Sequence, residues 1–140
     1  MKHLYIDTNI IIDFVSMRIP FGKVAEKIFL LAESGVIKLY TCSYSIGSLH
    51  YILKKVYDEQ KVRKALDVIM DAVKIIPVTE DILRKALRSP HKDYEDAIHI
   101  LSAHTVKGID SIVTRDRKDF STSEIPVYTP DDVLRLIRSK

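Results

Sequence analysis

Short β-rich runs alternate with longer segments of helical periodicity along this chain, and this alternation is the feature that most constrains its fold. The strand candidates are HLYID, VIKLYTC, IIPV, IDSIVTRD and IPVY. Between them, apolar residues recur at the three- to four-residue spacing of amphipathic helices. Such a pattern predicts an α/β fold with a mainly parallel central β-sheet flanked by helices, an α/β/α sandwich with right-handed crossovers.

The helical segments carry recognisable start and stop signals. Gly35 is placed to end the helix of residues 22–34, and Thr79 to cap the helix of residues 79–89. Thr129 is placed to cap the last helix, with Pro130 as its first residue. We expect residues 43–57 and 59–74 to pack as a helical hairpin. The remaining helices are predicted over residues 7–16, 79–89, 93–107 and 129–139.

The composition is typical of a chain that folds around one hydrophobic core. At 140 residues and 46% hydrophobic content, with no Ser-, Gly- or Pro-rich tract, residues 1–140 are predicted to form a single domain. Asp7 and Asp13 interrupt the apolar start, and no long uncharged apolar run follows, so we expect neither a signal peptide nor a membrane span, and a cytoplasmic location. The lone Cys42 excludes an internal disulfide and a cysteine-rich zinc site.

Several carboxylates occupy positions at which parallel sheets usually form ligand-binding sites. Asp7 ends the first predicted strand and Asp116 ends the strand containing IVTR, and in open α/β sheets ligands bind beyond the carboxyl ends of the strands. The stretch HKDYEDAIH adds Asp93 and Asp96 at the start of a helix. Their helix face becomes apolar one turn later, which directs these acids toward protein or a cleft. Taken singly, each of these acids is also explained as a helix cap or a turn residue.

Converging carboxylates repel one another unless a cation neutralises them, and oxygen ligands favour Mg²⁺ or Mn²⁺ over zinc. The segment DTNIIIDF lacks the glycines of a nucleotide-binding loop. Asn9 stands where an aspartyl-phosphate enzyme of the haloacid dehalogenase kind needs a second Asp, and the acidic pair of a receiver domain is missing. Metal-assisted phosphodiester hydrolysis is the chemistry that remains.

Taken in their order along the chain, these motifs resemble those of the PIN domain, the small nuclease fold of VapC-like toxin ribonucleases. YIDTNIIIDF is similar to the opening strand and helix of that family, KDYEDAIH to its third acidic motif, and SIVTRDRKDF, followed by IPVYTP, to its fourth. The resemblance implies a metal-dependent endoribonuclease of the kind that serves as the toxin of a toxin-antitoxin pair, with an antitoxin protein as partner and a homodimer formed through residues 43–74. It implies one or two Mg²⁺ or Mn²⁺ ions held by the acids Asp7, Asp96 and Asp116, with additions from Asp93 and Asp119. The supporting polar residues of the cleft would be Thr8, Asn9 and Thr114.

One position departs from the family pattern. The helix after the second strand usually supplies a further acid, commonly Glu, and the matching residue of SYSIGSLHYIL is Ser48. A hydroxyl there lowers the negative charge of the site by one, which weakens metal binding. The alternative function is therefore a catalytically degenerate PIN module that binds RNA or a protein without cleaving.

Basic residues border the last acidic motif. Arg115, Arg117 and Lys118 flank Asp116 and could hold phosphates of single-stranded or looped RNA, or could be solvated surface charge. The net charge of +3 permits a polyanionic partner without requiring one. A structure-selective DNA nuclease is a third reading, although the chain lacks the extra domains with which such enzymes generally grip duplex DNA.

Overall fold

The computed structural model describes residues 2–138, which form one five-stranded sheet covered by helices. The strand order is β3-β2-β1-β4-β5, and each neighbouring pair is parallel. The strands are β1 (Lys2–Ile6), β2 (Ile37–Cys42), β3 (Val73–Ile76), β4 (Ser111–Val113) and β5 (Val127–Tyr128). The predicted α/β fold with a parallel central sheet is confirmed.

Seven α-helices and a short 3-10 helix connect the strands. The α-helices are α1 (Thr8–Ser16), α2 (Gly22–Glu33), α3 (Ser43–Leu53), α4 (Glu59–Ala72), α5 (Glu80–Leu87), α6 (Tyr94–His104) and α7 (Pro130–Arg138). The 3-10 helix spans Arg117–Phe120 and lies between β4 and β5. None of the helices within residues 2–138 has the length and apolar character needed to cross a membrane.

The two faces of the sheet carry separate apolar cores. Side chains alternate across a strand, so Leu4 and Ile6 of β1 face one core while Tyr5 faces the other. The first core contains residues of α1, α2, α3, α4 and α7, and the second contains residues of α5, α6 and the 3-10 helix. The sheet is thus the middle layer of the α/β/α sandwich that the alternating pattern predicts.

Several predicted boundaries were wrong, and tertiary pairing explains the largest shift. The third strand was expected at 75–78, with Val73 on a helix stripe. The structure begins β3 at Val73, which pairs with Leu39 of β2. The helix predicted over 43–57 ends at Leu53, and the one predicted over 93–107 spans Tyr94–His104. β4 is shorter than the predicted 109–116, because the chain leaves the sheet after Val113.

The local capping signals were confirmed. The Thr79 hydroxyl accepts a hydrogen bond from the amide of Ile82, and Thr129 does the same for Asp132. Gly35 follows α2 with φ of 83°, a left-handed conformation that residues with a Cβ rarely adopt. These signals depend on neighbours in the chain, which is why the sequence alone reveals them.

Candidate active site

A cleft of about 710 Å³ opens at the carboxyl edge of the sheet. β1 and β4 are neighbours in the sheet, so the residues that follow them meet at this edge. The start of α1, the inner face of α3 and the first turns of α6 form the walls. Residues predicted from the sequence that line the cleft are Asp7, Thr8, Asn9, Ser48 and Asp96; Tyr44, Glu95 and His99 line it as well.

Asp7 is held in a fixed orientation by its neighbours. One carboxylate oxygen accepts a hydrogen bond from the backbone amide of Thr8 at 2.7 Å, and the other accepts from the hydroxyl of Thr114 at 2.8 Å. Thr114 is fully buried, and its hydroxyl oxygen also accepts from the amide of Asp116 at 3.0 Å. The Thr8 hydroxyl is hydrogen-bonded to the buried Ser45. The Thr8 amide and the Thr114 hydroxyl thus orient the Asp7 carboxylate, and the role of Thr8 and Thr114 as supporting polar residues stays a prediction.

Asp116 is linked to Asp7 but lies to one side of it. The side-chain amide of Asn9 donates to the Asp116 carboxylate at 3.3 Å and to the Thr114 hydroxyl at 3.5 Å. Asp116 lines a neighbouring cavity of about 520 Å³ rather than the cleft that contains Asp96. The amide oxygen of Asn9 is buried and has no hydrogen-bond partner within residues 2–138. Thr114 thus connects the two acids, and Asn9 joins this network through Thr114 and Asp116 with one polar atom still unsatisfied.

The negative charges of neighbouring acids contribute to a raised pKa of Asp96. Burial, followed by the negative charges of Asp93, Asp119 and Asp7, raises its pKa from 3.8 to about 6. The carboxylate of Asp93 also accepts a hydrogen bond from the Asp96 amide at 3.1 Å, so Asp93 is the N-cap of α6 as well as a member of the cluster. The cap interpretation of Asp93 is confirmed, and the site interpretation of HKDYEDAIH stays a prediction.

His99 belongs to the site, although the sequence offered little reason to choose it. Its ring is 5% exposed, its Nε2 lies 3.9 Å from Asp7 Oδ1, and its Nδ1 lies 2.6 Å from the hydroxyl of the buried Tyr5. Burial lowers the pKa of His99, but the hydrogen bond and charge of Cys42 and the charges of Asp7 and Asp96 outweigh it, leaving the pKa raised. The signal was its place one turn after Asp96, on the buried face of α6.

Glu95 and Tyr44 were not predicted to be site residues. They come from opposite walls of the cleft, and the Tyr44 hydroxyl donates to Glu95 Oε1 at 2.6 Å. Both side chains are exposed at the cleft mouth. No sequence rule brings α3 and α6 together, which is why this contact was missed.

The three predicted phosphate-binding residues have different surroundings. Arg115 donates to the buried Asp13 at 2.6 Å and stacks over the ring of Phe21 at 4.1 Å. Arg117 lies 3.9 Å from a carboxylate oxygen of Asp132. Lys118 is exposed and forms no ion pair within residues 2–138. Of the three, Lys118 is the cation left free for a polyanion.

Asp13 was missed as an important residue. It is 1% exposed inside the apolar segment IIIDFV, a place where an acid is costly unless it is paired. That burial could have been inferred from the helical period, since Asp13 falls on the same side of α1 as Ile10.

A family model described as a PIN domain matches residues 3–118, most of the described chain. The chain belongs to the PIN domain family. No curated protein matches it significantly.

Solved PIN-like structures cover the chain almost completely. VapBC2 from Rickettsia felis, bound to a DNA fragment from its promoter, is 16% identical with a TM-score of 0.62, covering 91% of this chain and 98% of that one. PAE2754 from Pyrobaculum aerophilum is 14% identical with a TM-score of 0.63, covering 99% and 91%. A toxin-antitoxin complex from Klebsiella pneumoniae is 29% identical with a TM-score of 0.61, covering 91% and 97%. The first two likenesses, at low identity, show the fold alone.

The donor chemistry of this PIN domain fits a hard divalent cation. The acids are all oxygen donors, the charges of neighbouring acids contribute to the raised pKa of Asp96, and the Asn9 amide oxygen is an acceptor without a partner within residues 2–138. Within residues 2–138, however, no three His, Cys, Asp or Glu side chains are grouped closely enough to hold one ion. The agreement with a hard cation therefore lies in the type of donor atom and not in the spacing of the acids.

Proposed function

We propose that this PIN domain is a Mg²⁺- or Mn²⁺-dependent endoribonuclease that hydrolyses RNA phosphodiester bonds. The observation that supports it most is the placement of Asp7 and Asp96 in one cleft at the carboxyl edge of the sheet, where the charges of Asp93, Asp119 and Asp7 also act on Asp96. These four acids come from three separate segments of the chain, and two of them, Asp7 and Asp96, line the open cleft itself. A purely structural role does not require such repulsion.

In this proposal Asp7, Asp96 and Asp116 hold the metal, and Asp93 and Asp119 add to the negative charge. The ion supplies a low-pKa water and offsets charge on the phosphate. The residues of the chain hold the acidic side chains in fixed orientations. Thr114 and the Thr8 amide fix both oxygens of Asp7. The Asn9 amide aligns Asp116, so the two acids keep a set separation before substrate arrives.

RNA is the substrate that suits this cleft. A single-stranded or looped backbone enters an open cleft more easily than a rigid duplex does. Lys118, next to the acidic edge and free of ion pairs among the described residues, is the cation best placed to bind a flanking phosphate. Arg115 is committed to Asp13, so we assign it a role in folding first and in RNA binding second.

We further propose a toxin role with a protein antitoxin. The support is the likeness to the Klebsiella pneumoniae toxin-antitoxin complex, at 29% identity over most of both chains. Homodimerisation through residues 43–74 is part of the proposal, and exposed apolar side chains on that hairpin favour it: Tyr51, Ile52, Val56, Val68 and Met70. The single-domain organisation and the cytoplasmic location stay predictions.

The test pairs metal binding with cleavage. Mn²⁺ is titrated into wild type and Asp96→Asn by calorimetry, and a mixed RNA pool is incubated with each protein and the same metal. We expect wild type to bind Mn²⁺ and cut RNA, and Asp96→Asn to do neither. A wild type that neither binds Mn²⁺ or Mg²⁺ nor cuts RNA refutes the proposal.

Ser48 supports a second candidate, a PIN module that binds RNA or protein without cleaving. The residue lines the cleft, so the charge that the family usually places on α3 is missing from that position. RNA binding that is unaffected by chelation, in a protein that never cleaves, would favour this candidate.

A further inference from the structure

Gly47 is a glycine that the fold of this chain does not require. It lies exposed on the cleft wall, in the middle of α3, and its φ is not positive. A Cβ at this position would meet no other atom within 4 Å, whereas a Cβ at Gly22 would meet the backbone of Met17 at 2.6 Å. Glycine destabilises the interior of a helix relative to alanine. The open space beside Gly47 therefore calls for an explanation other than folding.

An exposed aromatic ring borders this open space. Tyr51 follows Gly47 by four residues, so the two lie one turn apart on the same face of α3. Both line the cleft that also contains Asp7 and Asp96, and Tyr51 is 67% exposed. Unpaired bases of single-stranded nucleic acids stack on aromatic side chains placed in this way.

Apolar side chains and a cation complete the surroundings of the ring. Ile12 of α1 and Ile52 of α3 line the same cleft, and both keep part of their surface exposed. The ammonium of Lys55 lies 4.5 Å from the centre of the Tyr51 ring, and Lys55 forms no ion pair within residues 2–138. We call Ile12, Gly47, Tyr51 and Ile52 the base slot. An apolar slot with a free cation at its edge matches the two parts of a nucleotide, a flat base and a phosphate.

We propose that the base slot binds an unpaired base of the RNA substrate, stacked on the Tyr51 ring beside Gly47, and that Lys55 binds a phosphate of the same strand. Because the slot belongs to the cleft of Asp7 and Asp96, the base that it holds lies near the phosphate that is cut. A base must be unpaired to enter, so the slot favours single-stranded or looped RNA over a duplex. This inference rests on the proposed function, because it assigns part of the same cleft to the substrate.

Gly47→Leu separates the binding of RNA from the stability of the fold. Leucine favours helices and the space around the Cβ is open, so the variant should unfold at the same temperature as wild type or higher. Its side chain fills the slot. We expect its affinity for a short fluorescein-labelled single-stranded RNA of mixed sequence, measured by anisotropy with a chelator present, to fall about tenfold. Tyr51→Ala should lose affinity by a similar factor, whereas Tyr51→Phe keeps the ring and should bind like wild type.

Two controls distinguish the slot from a general effect on the surface. Gln60→Leu adds the same side chain at an exposed position of α4 outside the cleft, and it should bind the RNA like wild type. The same RNA annealed to its complement offers no unpaired base, so Gly47→Leu should bind this duplex as wild type does. Lys55→Gln should weaken binding of the single strand and reduce its dependence on salt.

Each remaining outcome counts against the inference. If wild type cuts RNA with Mn²⁺ and Gly47→Leu binds the single strand equally well, the inference is wrong and the proposed function stands. A loss in Tyr51→Ala that follows from dissociation of a dimer, detected by analytical ultracentrifugation, assigns Tyr51 to an interface between copies and also overturns the inference. A wild type that neither binds nor cuts single-stranded RNA overturns both.

Discussion

Replacing Asp96 by Asn should stabilise the metal-free protein while removing its function. The raised pKa of Asp96 means that its charged form is disfavoured in the folded state, first by burial and then by Asp93, Asp119 and Asp7. Asn has nearly the same size and carries no charge, so it removes the repulsion and leaves the packing of α6 intact. The α6 dipole favours a charge at this position, but the raised pKa shows that the other effects outweigh it.

The magnitude follows from the pKa. A rise from 3.8 to about 6 is about two pH units, which at about 1.4 kcal/mol per unit would correspond to about 3 kcal/mol. Asp96 is only half-buried, so solvent screening reduces this figure, and we expect about 1 kcal/mol. For a chain of 140 residues, that is a rise of about 3 °C in the unfolding midpoint.

The effect has a definite pH dependence. Between pH 4 and 6 the folded wild type binds more protons at Asp96 than the unfolded chain does, so its stability falls as the pH rises through this window. Asn carries no titrating group, so the stability of Asp96→Asn should not fall in this way. The two proteins should therefore differ least near pH 4, and the advantage of the variant should reach its full size above pH 6.

Urea unfolding of both proteins at pH 4 and pH 7.5, in the presence of a chelator, measures the difference. Asp71→Asn is the control, because Asp71 is an exposed carboxylate of α4 outside the cleft, and its effect should stay within about 0.5 kcal/mol at both pH values. Excess Mn²⁺ should then make wild type more stable than Asp96→Asn, since the ion stabilises only the protein that binds it. An Asp96→Asn variant that is less stable than wild type by the same amount at both pH values would refute the electrostatic reasoning.

Three further outcomes are expected. Arg115→Met leaves Asp13 buried without its partner and should cost about 3 kcal/mol in urea unfolding; a normally stable variant with weakened RNA binding would instead give Arg115 a role in recognition. Tyr5→Phe removes the hydroxyl bonded to His99 and should cost about 1 kcal/mol of stability, and an unchanged unfolding midpoint would contradict that bond. Lys118→Ala should weaken RNA binding, with the slope of log affinity against log salt reduced by about 0.7, whereas an unchanged slope would mean that no phosphate is bound there.

The location of Asp7, Thr8 and Asn9 at the carboxyl edge of the sheet follows from their position along the chain. A carboxylate directly after a strand and before a helix has few places to point. In the structure Asp7 indeed caps α1 and lies at the carboxyl edge. Thr8 and Asn9 then fall into the first turn of the helix and face the same cleft. The Thr79 and Thr129 caps could be predicted from the sequence for the same reason.

The basic residues were harder to assign for the opposite reason. Arg115 neighbours Asp116 in sequence, which suggested a phosphate contact. Its long side chain instead reaches Asp13, 102 residues earlier, because the end of β4 lies over α1 in the fold. A flexible side chain takes its partner from whatever the tertiary structure brings near, and spacing in the sequence carries no information about that.

The sequence by itself determined the order of strands and helices, the caps, and the placing of acids at strand ends and at the start of α6. Those features depend on hydrophobic period and on hydrogen bonds between near neighbours in the chain. Only the tertiary structure decided that Asp116 borders a second cavity, that His99 lies close to Asp7, and that the Tyr44 hydroxyl bonds to Glu95. Each of those contacts joins elements far apart in the chain, so it exists only after the sheet has ordered its strands and the helices have packed on both faces.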